Sequence, residues 1–188
     1  MEDFSKIIDA CISGDNRARE KLYHLLAPKM FGVCMRYARD KSEAEDNLQD
    51  GFITVFTKLQ DFRHEGSFEG WVRRIMVNVS VSRYRKNQKL VLVDEVRKFE
   101  SGTSGEEAMG DLPLEELVRI VQKLPPQYRM VFNLSVMEGY SHADIGKELG
   151  ISEGASRSDL SRAREILRNK LSPYGIYNKR KRGMSQYE

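Results

Sequence analysis

The stretch Ser141–Glu165, SHADIGKELGISEGASRSDLSRARE, contains two helix starts arranged around one glycine. Ser141 followed by Asp144 is a capping signal for a helix through Leu149. Gly150 can take the left-handed conformation of a sharp turn, and Ser152 can then accept a backbone hydrogen bond and start a second helix. Ile145, Leu149 and Ile151 are expected to bury the corner, with Leu160, Ala163 and Leu167 continuing the inner face. Glu153, Ala155, Arg157, Ser158, Ser161 and Arg162 are left on or near the outer surface. Small residues at the start of the second helix let its N-terminal end approach a DNA major groove closely, where Arg157 reaches guanine or phosphate. The competing reading is an αα-hairpin whose arginines only solvate its surface. Gly146 and Ser156 break the usual packing pattern of such a corner, and the stretch alone does not separate the two readings.

Outward from this stretch the chain reads as all-helical, with no strand-like alternation of useful length. Phe4, Ile7, Ile8 and Cys11 share one face of a first short helix ending near Gly14. A second helix runs from about Arg17 to Arg39, with Pro28 predicted to kink it. Ser42 and Glu45 have the spacing of a capping box opening a third helix, whose apolar stripe is Leu48, Phe52, Val55, Phe56 and Leu59. After the loop DFRHEGS, residues 61–67, a fourth helix is expected over roughly Phe68 to Asn87. Residues 88–112, including SGTSGEEAMGD, have no periodicity and carry six acidic against three basic side chains, as a linker does. Order resumes at Pro113, Pro126 suits a first helical position, and Gly139 ends the helix QYRMVFNLSVME. The expectation is two small helical domains, 1–87 and 113–171, joined by an acidic flexible linker at 88–112 and followed by a basic tail at 172–188.

Two neighbouring helices disagree in charge. Asp46, Gln49 and Asp50 fall at i, i+3 and i+4 on the third helix, so they share a face away from the phenylalanines. An acidic face repels nucleic acid and suits a basic protein partner, although charged faces are often only solvated. The fourth helix, GWVRRIMVNVSVSRYRKNQ, carries Arg73, Arg74, Arg83, Arg85 and Lys86 with no acid from Gly70 to Gln88. Trp71, Tyr84, Asn78, Ser80 and Ser82 are interleaved, a mixture suited to a DNA backbone with exposed bases on which rings stack. Trp71 alone reads equally well as core.

The remaining features exclude other classes. At 40% hydrophobic and 31% charged over 188 residues the composition is that of a soluble globular protein, and no run approaches the roughly 18 apolar residues of a membrane span. The start, MEDFSKIIDACISGD, is acidic and amphipathic, unlike a secretory signal. Cys11 and Cys34 lie in apolar helical contexts, which fits a reduced, cytoplasmic compartment, and with His24 they match no compact zinc spacing. His24, His64 and His142 are scattered without a nucleophile–base arrangement, so neither catalysis, a metal, a cofactor nor a small-molecule substrate is expected.

In these segments the sequence resembles the ECF (extracytoplasmic function) group of bacterial RNA polymerase sigma factors. AEDNLQDGFITVF looks like the segment that grips the clamp helices of the polymerase largest subunit, GSFEGWVRRIMVNVSVSRYRK like the −10 element helix, and LPPQYRMVFNLSVMEGYSHADIGKELGISEGASRSDLSRARE like the −35 element domain. The resemblance covers nearly all of residues 1–171 in order. It implies that Asp46, Gln49, Asp50 and Phe52 belong to the polymerase-binding signature, with Phe52 mostly holding the helix on its own core. It implies that the loop from Phe62 to Phe68, with Arg63, His64 and Ser67, captures an extruded base of the −10 element. Trp71, Arg73, Arg74, Asn78, Ser82, Arg83, Arg85 and Lys86 would make the surrounding DNA contacts. Ser152, Glu153, Ala155, Ser156, Arg157, Ser158, Ser161, Arg162 and Arg164 map onto the −35 recognition helix. Ser82, Ala155, Ser156 and Asp159 depart from residues frequent there. The implied partners are core RNA polymerase, promoter DNA and an anti-sigma factor, often membrane-bound.

The linker length supports a bridging role. Promoter elements one and a half to two turns apart lie about 50–70 Å from each other at ~34 Å per turn. Residues 88–112 extend to roughly 80–90 Å at most but average only about 25–30 Å as free coil. Something must hold the two DNA-binding domains apart, and polymerase is that body in the family. From the residues alone, a free-standing helix-turn-helix regulator and a helical protein-interaction adaptor remain open alternatives.

Overall fold

The computed structural model describes residues 4–91 and 113–174, the side chains of 89–91 excepted. The described residues contain eight α-helices and no strand. They fall into two compact units that divide between the fourth and fifth helices. The expected linker beyond Val91 and the tail from residue 175 lie outside the described residues.

The N-terminal unit comprises α1 (Ser5–Ile12), α2 (Asn16–Tyr37), α3 (Lys41–Thr57), a 3-10 turn (Leu59–Asp61) and α4 (Phe68–Val91). Helices α2, α3 and α4 pack pairwise against one another, and α1 packs on α2. Their inner faces bury Leu22, Leu26, Met30, Val55, Val72 and Met76. At about 25 cal/mol per Å² of apolar surface removed from water, these side chains supply the main driving force of the unit. Gly51 lets α3 approach α4, because a β-carbon there would sit 2.1 Å from the sulfur of Met76. The helix starts are local. Asp15 caps α2 by accepting from the N–H groups of Arg17 and Ala18.

The start of α3 differs from the Ser42–Glu45 box expected. Asp40 is the cap and accepts from the N–H of Glu43 at 2.9 Å, while the Glu43 carboxylate accepts from the N–H of Arg39 at 2.8 Å. The cap thus lies two residues earlier than expected, where a carboxylate, a stronger acceptor than the Ser42 hydroxyl, takes the helix N-terminus, and Glu43 reaches back past the cap to the preceding residue. Helix α4 continues to Val91, four residues past the expected end.

The C-terminal unit comprises α5 (Leu114–Gln122), α6 (Pro126–Phe132), a π-helical turn (Asn133–Met137), α7 (His142–Leu149), α8 (Glu153–Leu171) and a 3-10 turn (Ser172–Tyr174). Pro126 occupies the start of α6 as the sequence predicts. The continuous helix expected from there to Glu138 instead loosens into the π turn, with the N–H of Glu138 on the carbonyl of Asn133. The Asn133 side chain donates to the carbonyl of Arg129 at 3.0 Å, the back-bonding by which a short polar side chain competes with the helical ladder. Ile120, Leu124, Ala163 and Leu167 form the buried centre between α5 and α8. Arg129, buried, donates to the Gln122 carbonyl at 2.6 Å and satisfies one orphan group at the end of α5.

Candidate nucleic-acid and polymerase interfaces

The corner between α7 and α8 forms as its sequence predicts. Ser141 and Ser152 cap the two helices through the N–H groups of Asp144 and Ala155, both at 3.1 Å, and Gly150 has φ +71°. Ile145 and Leu149 are buried, as are Leu160, Ala163 and Leu167 of α8, whereas Ile151, expected with them, is only half-buried. The two residues that broke the pattern turn out to be fitted. A β-carbon on Gly146 would meet the carbonyl oxygen of Ile151 at 2.8 Å, so the missing side chain admits the backbone of the turn. Ser156 is fully buried, and its hydroxyl lies 2.9 Å from Nδ1 of His142. That corrects its assignment as a DNA contact, because a hydroxyl enclosed between α7 and α8 cannot reach a groove.

The outward face of α8 carries Glu153, Arg157, Ser158, Ser161, Arg162 and Arg164, all exposed, with Ala155 half-buried beside them. Arg157 pairs with Glu153 one turn earlier. Arg162 donates to the hydroxyl of Tyr128 at 3.1 Å, which holds the guanidinium over α6 and raises its pKa. Asp159 faces inward and accepts from Gln127 at 2.6 Å. Gln127 and Tyr128, which no local pattern singled out, therefore set the posture of α8 from 32 and 34 residues away.

In the N-terminal unit the loop between the 3-10 turn and α4 is held by a ring cluster. Phe62 lies 4.8 Å from His64, 5.1 Å from Phe68 and 5.6 Å from Trp71, and Trp71 stacks on Phe68 at 5.7 Å, centroid to centroid. Phe62 and Phe68 are buried and Trp71 is half-buried. The two phenylalanine rings thus hold the loop in shape, and the half-buried Trp71 closes the cluster on its open side. His64 has φ +58° and Gly66 φ +98°, so the loop makes two left-handed steps, of which the histidine's is the uncommon one. Ser67 accepts from the N–H of Gly70 at 3.3 Å and caps α4. Around the loop opens a cleft of about 580 Å³ lined by Lys29, Phe62, His64, Gly66, Ser67 and Phe68, among others.

Along α4, Arg74, Asn78, Ser82, Arg85 and Lys86 are exposed and Arg73 is half-buried. Tyr84, read as part of the same face, is buried, as is Ser80, which bonds back to the Met76 carbonyl. A second cleft of about 550 Å³ lies between α3 and α4, with Asn78, Ser82 and Lys86 on one wall and Thr54 and Lys58 on the other. Lys58, at the C-terminal cap of α3, reaches this cleft although no local pattern marks it.

On α3, Asp46, Gln49 and Asp50 are exposed together, and Phe52 is buried against the ring of Tyr23 at 4.7 Å. Arg83 of α4 donates to Asp46 at 3.0 Å and to Asp50 at 2.5 Å. The helix expected to offer its arginines to DNA therefore gives one of them to the acidic face.

Residues 22–90 match the family described as Sigma-70 region 2, and residues 114–167 match Sigma-70, region 4. The RNA polymerase sigma-H factor of Pseudomonas aeruginosa is 30% identical over 185 residues, covering 92% of this chain and 96% of that protein. The chain belongs to the ECF group of RNA polymerase sigma factors. The ECF sigma factor SigW of Bacillus subtilis is 29% identical over 170 residues, covering 84% of this chain and 91% of its own. The fold is similar to that of the sigma factor RpoE solved in complex with the anti-sigma factor NepR from Bartonella quintana. That match has a TM-score of 0.51 at 24% identity and covers 81% of this chain and 96% of that one. The function of this sigma factor is promoter recognition in transcription initiation, a non-enzymatic role in its family. Among the described residues no helix is long and apolar enough to cross a membrane.

Proposed function

We propose that this sigma factor docks on core polymerase through Asp46, Gln49 and Asp50 and reads its promoter with two separate faces. Residues 1–87 act as the polymerase-docking and −10 domain and residues 113–171 as the −35 domain. The loop carrying Arg63, His64 and Ser67, with Trp71 beside it, takes up a base of the opened −10 element. Arg73, Arg74, Asn78, Ser82, Arg85 and Lys86 hold the flanking strand. Binding the single strand selects the melted state, so contacts made only after opening drive the opening. Unstacking costs a few kcal/mol per base, offset by ring and pocket contacts. In the −35 major groove, the N-terminal half of α8 presents Arg157, Ser158, Ser161, Arg162 and Arg164, with Ser152, Glu153 and Ala155 at its tip. The segment between them joins the two domains in sequence, and the protein works in the cytoplasm. An anti-sigma factor, the partner of RpoE in the similar structure, is the class of inhibitor that would cover these faces.

The observation that carries this reading is the placing of an exposed acidic face and an exposed basic face on the adjacent helices α3 and α4. A factor acting on DNA alone gains nothing from the first. Run-off transcription with purified core polymerase and a promoter library tests it. Specific initiation is expected with the unaltered chain and is lost on reversing both Asp46→Lys and Asp50→Lys. Tight promoter binding without polymerase, indifferent to that reversal, would instead identify a free-standing regulator.

A further inference from the structure

Arg83 stands between the two faces of the N-terminal unit, and the proposal that Asp46 and Asp50 meet polymerase gives it a role of its own. The two aspartates are one helical turn apart, so like charges share a face and repel. Each keeps more than half of its side chain in solvent, 57% for Asp46 and 55% for Asp50. Yet each commits one oxygen to a different terminal nitrogen of one guanidinium, at 3.0 and 2.5 Å. Arg83 itself is only 26% exposed. A guanidinium is planar, with its nitrogens at fixed spacing, so one prong per carboxylate sets both side chains at once. The second oxygen of each aspartate remains for an incoming donor. A phosphate approaching Arg83 would meet two carboxylates whose charge outweighs that of the arginine. The same geometry that makes Arg83 a poor ligand for DNA makes it a brace for the docking face.

We infer that Arg83 is a positioning residue for polymerase docking, holding Asp46 and Asp50 in the arrangement the partner binds, and is not a DNA contact. Pre-setting two flexible side chains lowers the ordering cost that docking must otherwise meet.

Two measurements on the full chain separate this role from a phosphate contact. One is the affinity for core polymerase. The other is the salt dependence with which the reconstituted holoenzyme binds a single-stranded −10 oligonucleotide. R83A is expected to weaken core binding about fivefold, the scale of two exposed ion pairs. R83K is expected to lose nearly as much, because an ammonium satisfies one carboxylate and lacks the fork. D46N added to R83A should cost less than D46N alone, since the pair acts as a unit. The salt slope should stay unchanged in both variants. Full core affinity in R83A and R83K, or a slope reduced by about 0.7 in R83A as for one lost single-strand phosphate contact, would overturn the inference. R83K keeps the charge and carries the test if R83A does not fold. Failure of the unaltered chain to bind core is a different result, which removes the docking reading itself.

Discussion

The hydroxyl of Ser156 meets Nδ1 of His142 at 2.9 Å across the corner of the helix-turn-helix, with the serine wholly removed from solvent. This one contact ties the reading helix α8 to α7 by a polar bond at a position where the family frequently has an apolar residue. Its loss has a definite expectation. Ser156→Ala should destabilise the C-terminal unit by about 1 kcal/mol, the net worth of a typical hydrogen bond. The single tryptophan, Trp71, reports only the N-terminal unit. In urea denaturation the tryptophan transition should therefore stay in place while part of the helical signal shifts to lower urea. Affinity for −35 DNA in the holoenzyme should change little, because the side chain does not reach the groove.

Gly146 tests the tightness of the same turn. Gly146→Ala gains about 1 kcal/mol of helix propensity but places a β-carbon against the Ile151 carbonyl at 2.8 Å. The two effects oppose, and near-neutral stability is expected. Gly146→Val adds bulk against backbone that cannot retreat and lowers the helix propensity gained, so it should cost about 1–3 kcal/mol. Thermal unfolding of both variants gives the comparison, and a valine variant as stable as the alanine one would contradict the close approach.

Asp40 links stability to acid. The N–H of Glu43, with help from Arg39, holds its carboxyl below the usual carboxylate range. A folded-state pKa lowered in this way stabilises the fold above the unfolded pKa, and that stabilisation is lost as pH falls through the folded value. Asp40→Asn keeps a capping oxygen without the titration. Its melting temperature should therefore fall less steeply than that of the unaltered chain as the pH drops below the ordinary carboxylate range. Asp40→Ala should melt lower at neutral pH as well.

The two cysteines should be inert in the native protein. Burial pushes the Cys34 thiol up to about 12, and burial also raises Cys11. At pH 8 the Cys34 thiolate is then roughly a thousandfold scarcer than in an exposed thiol. A chromogenic thiol reagent should register neither cysteine before denaturant is added and both afterwards. A fast native reaction at Cys34 would show that α2 opens locally.

Sequence alone determined the features that depend on near neighbours. Ser141, Gly150 and Ser152 specify two capped helices and a left-handed turn, because a cap or a turn is made among residues at most three or four positions apart. The 3.6-residue spacing likewise assigned Leu160, Ala163 and Leu167 inward and Asp46, Gln49 and Asp50 outward, and composition alone set an acidic face on α3 beside a basic one on α4. The Asp40 cap was missed by only two residues because two capping signals overlap there.

The tertiary structure alone decided how the polar residues are spent. Periodicity places Ser156 and Asp159 on a helix, but only the arrival of His142 and Gln127 makes an inward hydroxyl and carboxylate tolerable. Phe62 and Phe68 are only two rings at the ends of a loop until the fold packs them on each other and on Trp71. Arg83 is one arginine among several in its helix until packing sets it against aspartates 37 and 33 residues earlier. Hydrogen-bond and charge pairing across such distances depends on where helices cross, and a short window of sequence does not contain that information.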